Sequence, residues 1–244
     1  MNPVNNDSNK VTVEIWSDVM CPFCYIGKRR FEKALDQFTF KQDVEVVWKS
    51  FQLNPSMVTN PDVSVKKHLA EQKGWSAAQT DQAMDHVIQM AAEEGLHYDF
   101  DKAVVANSFK AHRLLQYAKT KNQGDALKEA LLKAYFIDGK NTDDDAILLD
   151  LAIAVGLDKA ESIAVLQNKD SFAEAVKTDI QEANQMGIRG VPYFVINSKY
   201  GISGAQEVKV FEQALRQAYA ETQLIESAAG SAEGAVCTPE GECE

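Results

Sequence analysis

The sequence predicts an α/β protein whose core is interrupted by an all-helical segment. Apolar residues alternate with polar ones in residues 11–16 and 44–53, which is typical of strands. From Cys21 onward apolar residues recur at helical spacing, so a helix connects the two strands. Residues 64–172 have helical patterns punctuated by glycines, and the α/β pattern then returns.

The second half of the core begins with a helix predicted over residues 173–186. A strand over residues 193–197 follows a glycine-containing turn, and the last helix is predicted over residues 206–224. We therefore divide the chain into four parts. They are residues 1–62 (first half of the core), 63–172 (helical insert domain), 173–226 (second half of the core) and 227–244 (flexible tail rich in Ser, Ala, Gly and Glu).

The charge of the chain argues against two classes of partner. With 36 acidic and 25 basic side chains the formal net charge is −11, so nucleic acid and anionic membranes would be repelled. Residues 1–10 are polar and unlike a secretory signal, and no segment approaches the roughly 18 apolar residues that cross a bilayer. We expect a cytoplasmic protein, whose thiols are normally kept reduced.

Cys21 and Cys24 lie three residues apart where the first helix begins. Residues at this spacing share a helix face, so the two sulfurs can approach each other. At a helix N-terminus, free backbone N–H groups and the helix dipole can lower a thiol pKa from about 8.5 to roughly 3.5–7.5. The pattern predicts a redox pair in which Cys21 attacks and Cys24 resolves, with Pro22 tolerated in the first turn. A metal half-site is the alternative for an isolated CxxC pair.

Four segments of the chain carry a resemblance to a known family. They are Ser-Asp-Val-Met-Cys-Pro-Phe-Cys-Tyr-Ile-Gly at 17–27, Asn-Ser-Phe-Lys-Ala-His-Arg-Leu at 107–114, Gly-Ile-Arg-Gly-Val-Pro-Tyr-Phe-Val-Ile-Asn at 187–197 and Ser-Gly-Ala-Gln at 203–206. In this order, over residues 11–224, the chain resembles the DsbA-like branch of the thioredoxin superfamily. The resemblance is to FrnE-like thiol oxidoreductases, which are related to 2-hydroxychromene-2-carboxylate isomerases. It implies a thioredoxin-like fold with an all-helical domain inserted between its two halves.

The resemblance also implies that the Val191–Pro192 peptide bond is cis and faces the two cysteines. A proline there has no N–H group to compete with the sulfurs, and a cis bond makes a tight turn. The backbone of Val191 would then be free to pair with an extended substrate segment. The alternative is an ordinary trans proline that opens a strand.

The dipeptide between the cysteines, Pro22-Phe23, bears on the reduction potential. Strongly oxidising relatives have a histidine in this dipeptide, which stabilises the thiolate, and Phe23 offers no comparable hydrogen bond. We expect a potential well below about −120 mV, nearer the range of roughly −270 to −180 mV found in thioredoxin and disulfide isomerase.

Asn107 and His112 are further candidates, on the segment that the resemblance places in the helical insert. Ser108 and His112 share a helix face, and similarity suggests that this face looks toward the thiols. Asn107 or His112 would then contact substrate or assist proton transfer. Equally, these residues form a polar patch that only ties the insert to the core.

Cys237 and Cys243 form a second pair near the end of the chain, with Pro239 and Gly241 between them. Proline and glycine favour a turn that brings the two thiols together, and a short tether gives millimolar effective concentrations. We predict either an auxiliary dithiol that exchanges with Cys21 and Cys24 or an incidental tail. A four-thiolate zinc site built from both pairs would need the tail to fold over the core, and we expect no metal.

Taken together, the sequence predicts a thiol-disulfide oxidoreductase that reduces, forms or isomerises disulfides of proteins or small molecules. It needs a redox partner that recycles the pair and no bound cofactor, with glutathione or another thiol as a co-substrate. The alternative is a glutathione-dependent isomerase or transferase. Relatives of that kind typically have serine at the first motif position, whereas this chain has Cys21 as well as Cys24. A third reading is a binding module that needs neither cysteine.

Overall fold

A four-stranded mixed sheet forms the centre of the structure, a computed structural model that describes residues 10–232 and the side chains of residues 10–224. The strands are β1 (Val11–Ser17), β2 (Val44–Ser50), β3 (Asn60–Ser64), β4 (Val104–Val105), β5 (Tyr193–Ile196) and β6 (Tyr200–Ser203). The helices are α1 (Pro22–Gln37), α2 (Val65–Lys73), α3 (Ala77–Glu93), α4 (Phe109–Thr120), α5 (Gly124–Phe136), α6 (Asp145–Ala154), α7 (Lys159–Gln167), α8 (Ala173–Gln185) and α9 (Val208–Ala232).

The strand order in the central sheet is β2-β1-β5-β6. β1 pairs in parallel with β2 and antiparallel with β5, and β6 pairs antiparallel with β5. Since the chain crosses from β1 to the parallel strand β2, it needs a connecting helix, and α1 supplies it. The loop that carries the cysteines therefore lies at the end of a central strand.

Side chains of β1 alternate between two apolar clusters, as expected for a strand buried on both faces. Val13 and Ile15 are fully buried in a cluster with α1 and α9, in which the rings of Phe194 and Phe211 lie 4.7 Å apart. On the opposite face Trp16 packs in a second cluster with α8, and its indole N–H donates to the Asp179 carbonyl at 2.8 Å. The sheet is thus covered by helices on both faces.

The predicted α/β core with a helical insertion is confirmed, with one correction inside the insert. Between β2 and α8 the chain forms helices α2 to α7, but also a two-stranded antiparallel sheet of β3 and β4. The prediction of an all-helical insert is wrong at this point. β4 has only two residues, so it carries no alternation that a sequence pattern could reveal.

The last helix is longer than predicted. α9 continues to Ala232, so the prediction that a flexible tail begins at residue 227 is wrong. Its last residues are rich in alanine and serine, and alanine is the strongest helix former. Cys237 and Cys243 lie outside the described residues. Within residues 10–232, no helix combines the length and the apolar character that crossing a bilayer requires.

A close contact between α1 and the loop before β5 positions the cysteine motif. At Gly27, an added Cβ atom would lie 2.9 Å from Cγ of Pro192 and 3.6 Å from Cα of Ala205. Real Cβ atoms do not approach other heavy atoms at 2.9 Å, so only glycine fits here without displacing the loop. The first turns of α1 are therefore seated directly against residue 192.

We expect Gly27→Ala to lower the free energy of unfolding by about 1 kcal/mol, as measured by urea denaturation. Overpacking costs about 1–3 kcal/mol, and the higher helix propensity of alanine returns up to about 1 kcal/mol. Gly190→Ala is the matched control, because an added Cβ there has no atom within 4 Å. Equal unfolding midpoints for the two variants would show that Pro192 leaves room for a methyl group at residue 27.

Candidate active site

The two cysteines lie where β1 ends and α1 begins. Cys21 is the N-cap of α1 in an extended conformation, and Pro22 occupies the first helical position. The Pro22 carbonyl accepts a hydrogen bond from the Tyr98 hydroxyl at 2.7 Å, which fixes the first turn to the insert. Both cysteines are free thiols and buried, with exposed fractions of 3% for Cys21 and 1% for Cys24. The site is a reduced dithiol almost removed from solvent.

The loop before β5 faces these sulfurs. The Val191–Pro192 peptide bond is cis, and the Cys21 sulfur lies 3.2 Å from the Val191 carbonyl oxygen, within hydrogen-bonding distance. The loop is held in place because the Gly204 N–H donates to the Pro192 carbonyl at 2.8 Å. The structure thus brings together four residues that the sequence analysis predicted to form the site: Cys21, Cys24, Val191 and Pro192.

The ionisation of the pair differs from the sequence prediction. The pKa of Cys21 is raised well above that of a free thiol, first by its hydrogen bond to the Cys24 sulfur and second by burial. The pKa of Cys24 is lowered: burial opposes this strongly, but the Cys21 thiol, the Lys128 cation and Ser17 stabilise the thiolate. The prediction that Cys21 carries the lowered pKa is therefore wrong for the reduced state. The two adjoining buried sulfurs titrate as a pair, in which the thiolate is favoured on Cys24 over Cys21.

A buried carboxylate lies in the turn just before the motif. Asp18 Oδ2 accepts from the Leu53 N–H at 2.8 Å, and Oδ1 lies 3.2 Å from Nε2 of His112. Burial pushes the pKa of Asp18 upward, but the hydrogen bond and charge of His112 and the Leu53 N–H outweigh it, so the pKa is lowered. Asp18 is therefore an ionised acid in the protein interior. Asp18 lies in the segment 17–27 that carries the family resemblance, but the sequence analysis assigned it no role.

Lys128 on α5 is the second residue that sequence reasoning missed. Its side chain is 1% exposed, and burial lowers its pKa, while negative charge on Cys24 and Asp18 acts in the opposite direction. A signal was available, since Lys128 shares the helix face of the buried residues Leu131 and Leu132. A lysine on an apolar helix face is unusual, because lysine is almost never fully buried without a partner.

Asn107 and His112 have different outcomes. The side chain of Asn107 bonds mainly to the segment after β2: its Nδ2 donates to the Met57 carbonyl at 2.8 Å, and its Oδ1 accepts from the Gln52 side-chain amide at 3.2 Å as well as from the Phe109 N–H at 2.8 Å. These contacts favour the reading that Asn107 ties the insert to the core. His112 is buried behind Asp18, with its Nδ1 unpartnered among the described residues. Its contact with Asp18 joins the insert to the core, and both the proton-transfer role and the purely structural polar patch stay predictions for His112.

Three further features surround or concern the motif. Among residues 10–232, no three His, Cys, Asp or Glu side chains are arranged to hold a metal ion. Phe23, between the two cysteines, is 38% exposed and presents an apolar ring beside the motif. The Ser17 hydroxyl faces the Cys24 sulfur but makes no hydrogen bond of normal geometry within the described residues. What the site offers is thiol chemistry beside an apolar surface.

Comparison with known proteins agrees with this geometry. A family model described as DSBA-like thioredoxin domain matches residues 12–216. The Bacillus subtilis (strain 168) protein YwbO is 31% identical over 210 residues, which cover 84% of this chain and 96% of YwbO. A crystal structure of a probable DsbA oxidoreductase from Streptomyces coelicolor is 38% identical with a TM-score of 0.81, covering 96% of this chain and 98% of that one. A 2-hydroxychromene-2-carboxylate isomerase structure shares the fold at 15% identity, with a TM-score of 0.63 and coverage of 87% and 98%.

We expect the reduced pair to titrate in two well-separated steps, followed by thiolate absorbance at 240 nm in a Cys237→Ser/Cys243→Ser background. Cys21→Ala should raise the pKa of Cys24, because the thiolate loses the Cys21 donor. Conversely, Cys24→Ala should lower the pKa of Cys21, because the neighbouring anion is gone.

Each single-cysteine variant serves as the control for the other, since each retains one sulfur in the same fold. A shared charge would be contradicted if the wild-type pair and both variants all titrated near the free-cysteine pKa of about 8.5.

Proposed function

Since the chain belongs to the DSBA-like thioredoxin domain family, we propose that it is a thiol-disulfide oxidoreductase whose active site is the Cys-Pro-Phe-Cys motif at residues 21–24. One observation carries the proposal above all others. Cys21 is a reduced thiol at the N-terminus of α1, beside the Val191 carbonyl and in contact with a second thiol. An attacking sulfur, a resolving sulfur and a backbone edge for substrate are thus adjacent.

Cys21 is the attacking sulfur, in spite of its raised pKa, because it lies nearer the surface and beside the loop. As Cys21 attacks a substrate disulfide, its proton passes to the adjoining Cys24 thiolate. A Cys21–substrate S–S bond forms, the substrate S–S bond breaks, and one substrate sulfur leaves as thiolate. Cys24 therefore acts first as the base of the reaction. Its lowered pKa makes it a weaker base, but its thiolate can still accept the proton of Cys21.

Resolution of the mixed disulfide needs Cys24 in its thiolate form again. Its proton leaves and protonates the departed substrate thiolate, directly or through solvent. Cys24 then attacks the sulfur of Cys21, an intramolecular disulfide forms, and the second substrate sulfur leaves as thiolate. Two electrons have moved from the protein to the substrate. The reverse sequence oxidises a substrate dithiol.

Substrates bind beside the Val191 backbone, where an extended peptide segment can add alongside the loop. The exposed ring of Phe23 favours apolar residues next to the substrate cysteine. Protein disulfides and small-molecule disulfides both fit this description. We place the activity in the cytoplasm, where glutathione or another thiol, or a dedicated redox partner, returns the pair to its starting state.

The alternative, a glutathione-dependent isomerase or transferase, would use the thiol of glutathione in place of Cys21. The likeness to a 2-hydroxychromene-2-carboxylate isomerase is a likeness of fold. Against this alternative, a buried Cys24 in contact with Cys21 has no task in a reaction whose nucleophile comes from the co-substrate. The two functions differ in their need for Cys21.

We expect the purified protein to reduce insulin disulfides in the presence of glutathione, followed by turbidity. Cys21→Ser should bring the rate to the uncatalysed background, because the attacking sulfur is lost. Cys24→Ala should accumulate a mixed disulfide with insulin or glutathione, detected by mass spectrometry, because resolution is blocked.

Cys237→Ser/Cys243→Ser is the control, with the motif at residues 21–24 intact. Its first turnover should match the wild type, and a slower steady state would assign the tail pair to recycling. Full insulin reduction by Cys21→Ser would refute the oxidoreductase. Isomerase activity that survives Cys21→Ser would favour the alternative.

A further inference from the structure

Three loops meet at the edge of the central sheet where Cys21 lies. β1 and β2 are parallel and pair up to their last residues, so the loops that follow them, residues 18–21 and 51–59, leave the sheet side by side. β5 is antiparallel to β1, so the loop before it, residues 186–192, reaches the same edge. In that loop the Val191 carbonyl oxygen lies 3.2 Å from the Cys21 sulfur. A molecule that exchanges with Cys21 therefore approaches these three loops.

Arg189 supplies the one exposed charge on the three loops. Residues 51–59 contain no ionisable side chain, and Asp18, the acid of the first loop, is 1% exposed. Arg189 is exposed, and it makes no hydrogen bond or ion pair with any residue from 10 to 224. The loop after β6 also reaches this edge and has one exposed acid, Glu207, which is not paired with Arg189. In a chain of net charge −11, the loops around Cys21 thus present an unpaired cation.

The arginines of α1 show what this side chain normally binds. Arg29 is paired with Glu129, and Arg30 is paired with Glu94 at 2.7 Å. A guanidinium group is protonated at every physiological pH and presents its N–H donors in a planar fork that matches a carboxylate. Within the described part of the chain, no carboxylate occupies the fork of Arg189. Its charge is therefore permanent and available to a ligand.

The loop leaves room for a ligand beside Arg189. Gly187 and Gly190 lie on either side of it in the sequence, and an added Cβ atom at either glycine would meet no atom within 4 Å. Since residue 190 is a glycine, no side chain separates Arg189 from Val191 along the loop. A small molecule that is bound beside the Val191 backbone can therefore extend toward Arg189.

Glutathione has its charges at a matching separation. Its cysteine is joined to a glutamate on one side and to a glycine on the other, so each carboxylate belongs to a residue next to the reacting sulfur. Arg189 lies two residues from Val191, a span of at most roughly 7 Å. A glutathione sulfur bonded to Cys21 beside Val191 thus brings a carboxylate within reach of the Arg189 side chain. A forked arginine–carboxylate pair is among the strongest hydrogen-bonded contacts.

We propose that Arg189 is a specificity-determining residue that binds a carboxylate of glutathione while its sulfur exchanges with Cys21. This inference rests on the proposed oxidoreductase function. As Cys21 attacks glutathione disulfide and passes its proton to Cys24, a Cys21–glutathione S–S bond forms and the S–S bond of glutathione disulfide breaks. One glutathione leaves as thiolate and takes up that proton, while Arg189 holds the half that stays.

The second step releases the bound half. Cys24 attacks the Cys21 sulfur, an S–S bond forms between the two cysteines, and the second glutathione leaves as thiolate. Two electrons have then passed from the protein to glutathione disulfide. The reverse steps reduce the pair with two molecules of glutathione, through the same mixed disulfide and the same contact with Arg189.

The experiment compares two disulfides as oxidants of the reduced protein, in a Cys237→Ser/Cys243→Ser background. Glutathione disulfide has carboxylates, whereas bis(2-hydroxyethyl) disulfide is neutral and has none. We expect Arg189→Gln to lower the second-order rate constant with glutathione disulfide at least about fivefold, because a charge-assisted hydrogen bond is lost. The rate constant with the neutral disulfide should stay at the wild-type value. Acid quenching and mass spectrometry follow both reactions.

Two variants serve as controls. Arg216 is also exposed and has no ion pair among residues 10–224, but it lies on α9, between Phe211 and Tyr219, whose rings contact the second half of α1. Arg216→Gln therefore removes the same charge away from Cys21 and should match the wild type with both disulfides. Arg189→Lys keeps the charge without the fork and should recover part of the lost rate.

The outcomes separate this inference from the proposed function. A wild-type protein that reacts with neither disulfide would refute the oxidoreductase itself. If the wild type reacts and Arg189→Gln slows neither disulfide, or slows both equally, the role of Arg189 alone is overturned. The same conclusion follows if Arg189→Gln slows insulin reduction but leaves the reaction with glutathione disulfide unchanged.

A measurement on the wild type covers the case in which the variant fails to fold. Salt at about 1 M shortens the Debye length to about 3 Å and weakens an exposed ion pair. The wild-type rate constant with glutathione disulfide should therefore fall on addition of salt, while that with the neutral disulfide should not. Equal salt dependences for the two disulfides would overturn the proposal.

Discussion

Two sulfurs buried side by side can hold one negative charge but not two, and the rest of the site is arranged around that single charge. Desolvation penalises each thiolate, and the charge on one sulfur raises the pKa of the other. The start of α1, the loop at residues 191–192 and the cation of Lys128 each act on where the charge resides. The thiol form is thereby favoured on Cys21, beside the Val191 carbonyl, and the thiolate form on Cys24.

The helical insert supplies much of this arrangement. Tyr98, before β4, fixes the Pro22 carbonyl, His112 on α4 contacts Asp18, and Lys128 on α5 acts on Cys24. The α/β core provides the sulfurs and the cis bond, but these buried polar groups come from the inserted segment. The insert is therefore part of the redox site as well as a cover for it, and its packing against α1 bears on the chemistry.

The site combines residues of the α/β core with residues of the helical insert, and this explains what the sequence could predict and what it could not. The motif at residues 21–24, its place at a helix start and the strands around it follow from local spacing and alternation, which one stretch of sequence contains. The order of the two pKa values depends on burial and on the contact between the two sulfurs, with a smaller effect of Lys128, which lies more than a hundred residues along the chain. The short strand β4 and the end of α9 were missed because two residues show no period and an alanine-rich segment has no clear stop.

The same reasoning changes how the dipeptide Pro22-Phe23 should be understood. Phe23 gives no hydrogen bond to the sulfurs, which by itself favours a low reduction potential. Lys128 and Ser17, however, stabilise the Cys24 thiolate from the interior side, which favours a higher one. The potential is therefore set by both faces of the motif, and the dipeptide alone is an incomplete guide to it.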